Sequence, residues 1–138
     1  MKEYNISRLV KNEDLNHHGT LFAGRIAEWF VEAGFIAAAS FVKAPENVVC
    51  LNFHGLVFTS PIKKGEIITF KSRIALLGKT RIVVYGKIIS EITDILPIEG
   101  FLTFVHVDEH GEKIPHGLQL DAPADEEEAS IRERAKQL

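Results

Sequence analysis

"EDLNHHGTLFAGRIAEWFVEAG", residues 13–34, begins as a polar turn with two adjacent histidines and runs into a segment too apolar for an ordinary surface helix. From about Leu21 to Phe41 the chain is rich in good helix formers, with alanine at 23, 27, 33, 37, 38 and 39, and Pro45 stops it soon afterwards. Apolar residues at 26, 29, 30, 33, 36 and 37 keep the helical period and nearly encircle the cylinder in its second half. Such a helix is wrapped by other structure. It still carries Arg25, Glu28 and Glu32. At i, i+3, i+7 these charges read either as a solvated face with a helical ion pair or as one wall of a cleft.

On either side the texture is that of strands. Residues 1–12 hold a short β-like segment with Tyr4, Ile6 and Arg8 on one face. Beyond Pro45 come "NVVCLNFHGLVF", a turn at "SPIKKGE", and the alternating "IITFKSRIALL". "GKT" then reverses the chain into "RIVVYGKIIS", and "GFLTFVHVD" closes with the hairpin-like "EHGE". Strands joined by short turns predict an antiparallel sheet. The polar tail 122–138 places acids first and bases last, the polarity a helix dipole favours, and has little apolar surface; it is expected to be a solvated or frayed helix. The chain of 138 residues reads as a single domain of α+β class, its sheet curved around one long helix. One helix covers one sheet face and leaves the edges free, so pairing with a second copy is expected.

Composition narrows the function. A net charge of −3 gives no reason to expect nucleic acid or an anionic membrane as partner. The uncharged helical run Ala33 to Val42 is too short to span a bilayer, and "MKEYNISRLV" lacks the apolar core of a signal peptide. Cys50, the single cysteine, excludes an intrachain disulfide and a cysteine zinc cluster and fits a reducing, cytoplasmic setting. His106 and His110 lack a second ligand pair at metal spacing, so no metal site is expected.

"NHHGTLFAGRIAEWFVEAGFIAAAS" resembles the segment of hotdog-fold acyl-CoA thioesterases that runs N-x-x-G, a glycine pair, then a helix bearing an acid before E-A. "FTSPIKKGEIITFKSRIALLGKTRI" is similar to the same family's F-x-x-P-x-x-x-G-D, strand and G-[KR]-[TS] pattern. The resemblance spans roughly residues 14–107. It implies a hotdog fold, an antiparallel β-sheet wrapped around a long central α-helix. It also implies homodimers, some assembled into tetramers or hexamers, and hydrolysis of acyl-CoA to free acid and CoA at sites shared between chains. No cofactor is implied, CoA being part of the substrate. By position Asn16 would orient the water or the carbonyl, and the Gly24 region would admit a thioester to the start of the helix. Lys79, Thr80 and Arg81, with Lys64 in second rank, would meet the CoA phosphates.

One position departs from the pattern. Val31 stands where the family has its catalytic acid, and Glu32 is one residue, about 100° of helix, further on. The carboxylate would then be Glu32 or Glu28, or a base would come from His17, His18 or His54. Two other readings stand beside catalysis: an acyl-CoA-binding protein that does not cleave, and a purely structural oligomeric module.

Overall fold

The computed structural model describes residues 2–93 and 98–138. Among these, five strands form one antiparallel sheet: β1 (Tyr4–Leu9), β2 (Val48–Phe53), β3 (Ile67–Leu77), β4 (Arg81–Ser90) and β5 (Ile98–His106). Their spatial order is β1-β3-β4-β5-β2, so β1 and β2 are the two edges. Helix α1 (Ala23–Val42) lies on one side of the sheet. It stops where Lys43 adopts the left-handed conformation (φ 65°) and returns its N–H to Ala39 O at 2.8 Å, two residues before Pro45. No helix of the described residues is long and apolar enough to cross a membrane.

Glycines opposite α1 set how closely helix and sheet approach. Gly86 on β4 pairs with Gly100 on β5, and the Phe30 ring lies over both. A Cβ at Gly86 would sit 2.5 Å from Phe30 Cε1 and 2.8 Å from Phe30 Cζ. Phe30 itself is 2% exposed. Gly86→Ala should therefore lower stability by about 1–3 kcal/mol, the usual range for overpacking a tight core. A urea-unfolding midpoint equal to that of the parent would contradict this packing.

The tail departs from the solvated helix expected. Helix α2 (Glu126–Lys136) packs on the outer side of the sheet against β3 and β4, burying Ile131 and Ala135 among Ala75, Val83, Tyr85 and Phe101. Asp125 caps it by accepting the Glu128 N–H at 2.8 Å. Arg134 lies over the Tyr85 and Phe101 rings and donates to Glu99 at 2.7 Å. Glu99 in turn accepts the Tyr85 hydroxyl at 2.5 Å, which holds the carboxylate below its ordinary range. Two well-placed apolar residues and one arginine stack suffice here, a balance that average composition conceals.

The edges differ. Strand β2 has a register shift between Cys50 and Asn52, and its side chains are mostly exposed. Val49, Leu51, Val57 and Phe58 form an exposed apolar run along this edge and the loop after it. An exposed apolar edge of this kind is a surface for another chain.

Candidate active site

The polar turn before α1 is held from below by a carboxylate. Asp14 is buried; its side chain accepts the Lys11 N–H at 2.9 Å and faces Arg25 Nε at 3.6 Å. Its backbone carbonyl accepts the Phe22 N–H at 2.9 Å. Spacing could not have separated Asp14 from its exposed neighbour Glu13, because Arg25, arriving from α1, makes the difference. On this base the loop closes around Asn16. Asn16 Oδ1 accepts the N–H groups of His18 (2.9 Å) and Thr20 (3.2 Å), an Asx-type turn completed by Gly19 at φ 79°. Asn16 Nδ2 donates one hydrogen to Thr20 Oγ1 at 3.2 Å. An amide nitrogen has two.

Helix α1 starts without a side-chain cap. The N–H groups of Arg25 and Ile26 go to Phe22 O at 2.9 and 3.1 Å, whereas those of Ala23 and Gly24 have no partner among the described residues. Both residues are exposed. Beside them lies a cavity of about 290 Å³, lined by Asn16, Thr20, Ala23, Ile26 and the segment 58–62. Free N–H groups at a helix start, with the dipole behind them, favour negative charge there.

Segment 58–62 is fixed by Glu66, a second residue that spacing did not single out. Leu21 donates its N–H to Ile62 O at 2.7 Å, and Thr20 bridges Lys63. Glu66 accepts the Lys63 N–H at 2.5 Å and the hydroxyls of Ser90 and Thr93 at 3.0 and 2.5 Å. Burial pushes its pKa up, but these hydrogen bonds and the Lys63 charge outweigh burial, and the net displacement is downward. A carboxylate with lowered folded pKa contributes stability above its unfolded pKa and loses it as pH falls through the folded one. The melting-temperature gap between the parent and Glu66→Gln should accordingly be full at pH 7 and shrink below about pH 4, near the reference carboxylate pKa. A gap independent of pH would show that the charge is not what matters.

Not all expected site residues converge. Asn16 and the start of α1 at Ala23 share one cavity, whereas Gly24, the next residue, does not line it and faces the Phe22 ring. Glu28 and Glu32 face a different cleft, of about 530 Å³, along β1. There Glu28 pairs with Arg25 at 3.6 Å, and Glu32 pairs with Arg8, whose guanidinium lies over the Trp29 ring. Val31 is half-buried against the core. His17 and His18 are exposed on the loop's outside, their rings 3.9 Å apart. His54 is exposed and bonded to Thr103 Oγ1 at 2.7 Å. Thr103 pairs with Val83 of the outer cluster, so His54 stands away from α1.

The expected CoA-binding residues are also divided. Lys64 precedes β3, while Lys79, Thr80 and Arg81 follow it. The 11 residues of β3, at about 3.3 Å each, separate its ends by about 33 Å. Lys64 is at the Asn16 end and the other three are at the far end, so one protomer cannot bring all four to one ligand.

The sequence profile of the thioesterase superfamily matches residues 18–95, more than half of the chain. This protein belongs to the thioesterase superfamily. Its five-stranded antiparallel sheet with α1 is the hotdog fold of that superfamily. The uncharacterized acyl-CoA thioester hydrolase YkhA of Bacillus subtilis is 27% identical over 140 residues, covering 95% of this chain and 79% of that protein. An acyl-CoA hydrolase of Staphylococcus aureus, solved with butyryl coenzyme A, coenzyme A and coenzyme A disulfide, is similar at 25% identity. It superposes with a TM-score of 0.81 over 98% of this chain and 80% of its own. A hexameric hotdog-fold thioesterase of Campylobacter jejuni is similar at 27% identity and a TM-score of 0.69, over 93% and 94% of the two chains.

Proposed function

We propose that this superfamily member hydrolyses acyl-CoA thioesters to the free acid and CoA, at sites completed between two copies of the chain. The observation that carries the proposal is the uncapped start of α1. There Ala23, whose N–H is unpartnered among the described residues, and Asn16 with its spare N–H line one small cavity, and the equally unpartnered Gly24 N–H follows on the helix. A thioester carbonyl seated there would meet the Ala23 and Asn16 donors, and they gain strength as its oxygen becomes negative. A carboxylate takes a proton from water, the resulting hydroxide adds to the carbonyl, and the tetrahedral intermediate expels CoA as thiolate. Thiolates leave readily near neutral pH, so the step asks for no strong general acid.

Two features support a second copy. The α1 carboxylates of one protomer face away from its own Asn16 cavity, so Glu28 or Glu32 would reach the cavity of a partner. The ends of β3 are too far apart to hold one CoA, whereas two chains meeting head to tail would set Lys64 of one beside Lys79, Thr80 and Arg81 of the other. The apolar β2 edge, three strands away from β3, offers a further surface for self-association, and the hexameric relative supports self-assembly. Cys50, a free exposed thiol, suits a reducing cytosol.

The test is thiol release from a panel of acyl-CoAs of graded chain length, with sedimentation run in parallel. Release with at least one member from a dimer or larger assembly is the expected result. CoA binding without release from any member would replace hydrolysis by a binding role.

A further inference from the structure

We propose that His116 is a positioning residue for recognition of the nucleotide end of the substrate, acting through the backbone of the turn that presents Lys79 and Arg81. The inference rests on the acyl-CoA reading above and adds a residue to it.

The turn between β3 and β4 has three consecutive carbonyls, and all are occupied. Lys79 O accepts the His116 N–H at 3.2 Å, and Thr80 O accepts the His106 N–H at 2.7 Å. Arg81 O accepts the Gly78 N–H at 2.9 Å and lies 3.3 Å from His116 Nε2. The ring's protonation follows from its other side. Leu118 donates its N–H to His116 Nδ1 at 3.0 Å, so that nitrogen carries no proton. The proton is on Nε2, which therefore donates to Arg81 O. His106 completes the brace: it accepts the Ile114 N–H on its carbonyl, places Nδ1 3.0 Å from Ile114 O, and packs its ring edge-on to that of His116.

The arrangement ties the chain after β5 to the turn while Lys79 and Arg81 remain exposed. Exposed cations on a fixed backbone lose less freedom on gripping a phosphate than cations on a loose loop. His116 touches no ligand in this scheme. Its effect is confined to whatever the turn holds, and the acyl and pantetheine portions of the substrate are not part of that.

The test compares calorimetric binding of CoA with that of pantetheine, which lacks the phosphorylated nucleotide, and so needs no turnover. Lys79→Ala with Arg81→Ala should abolish most of the preference for CoA. His116→Phe keeps a ring but loses both ring bonds; it should cut the preference roughly fivefold, as expected for one hydrogen bond's net worth, with pantetheine unchanged. His116→Gln, whose amide reaches the Nε2 position, should keep the preference within about twofold. His116→Asn, which reaches only the Nδ1 position, should behave like the phenylalanine variant and serves in its place if that variant does not fold. Equal weakening of CoA and pantetheine, or an unchanged preference in both the Phe and Asn variants, would overturn the assignment. A preference that survives Lys79→Ala with Arg81→Ala would instead refute the phosphate-binding turn itself, and His116's role with it.

Discussion

Asn16→Asp is expected to fold normally and to lose about a hundredfold or more in kcat, the scale seen when one oxyanion donor is removed. The reason lies in how Asn16 divides its two ends. Its oxygen holds the His18 and Thr20 N–H groups, and an aspartate oxygen accepts both equally well. Its nitrogen supplies the spare donor, which aspartate lacks, and the new negative charge would stand beside the oxygen on which charge develops. Asn16→Ala should show a different profile, with a lower melting temperature as well as slower turnover, because the loop loses its two acceptor contacts. Acyl-CoA turnover and thermal melts on both variants check this. An aspartate variant with parental kcat would remove Asn16 from the chemistry.

The second large effect concerns the acids of α1. Glu28→Gln combined with Glu32→Gln should reduce kcat by about 10²–10⁴, the contribution of a positioned general base. The single variants then identify which carboxylate acts. Stability should change little, because both side chains are more than half exposed and surface ion pairs are worth about 0–1 kcal/mol. A double variant with undiminished turnover would show that water is activated without an α1 carboxylate. Val31 makes this experiment decisive, since the position where the family resemblance would place the acid has no ionisable group.

Much of the fold was legible because local rules and burial agree. Apolar periodicity and alanine content placed the central helix to within two residues at each end. β3 and β4 coincide with the alternating segments "IITFKSRIALL" and "RIVVYGKIIS". The tail was misjudged because two residues on one face, Ile131 and Ala135, carry its docking, and their partners lie far upstream, from Ala75 on β3 to Phe101 on β5. Asn16 and the start of α1 could be read because they are neighbours in sequence. The separation of Glu28 and Glu32 from them could not, since it depends on which flank of the helix β1 covers, and Arg8 on β1 claims Glu32. Asp14 and Glu66 were hidden for the same reason. Each is an unremarkable acid until the chain brings its donors around it.

With Lys64 and the Gly78–Arg81 turn at opposite tips of one long strand, a site shared between copies would make turnover a property of encounters between molecules. Such an enzyme should lose specific activity as it is diluted below the dissociation constant of the assembly, and regain it on reconcentration. Inactive copies that still pair would poison active ones in proportion to their share of the mixture. The cell would then set the rate of thioester cleavage through the abundance of this chain more steeply than linearly.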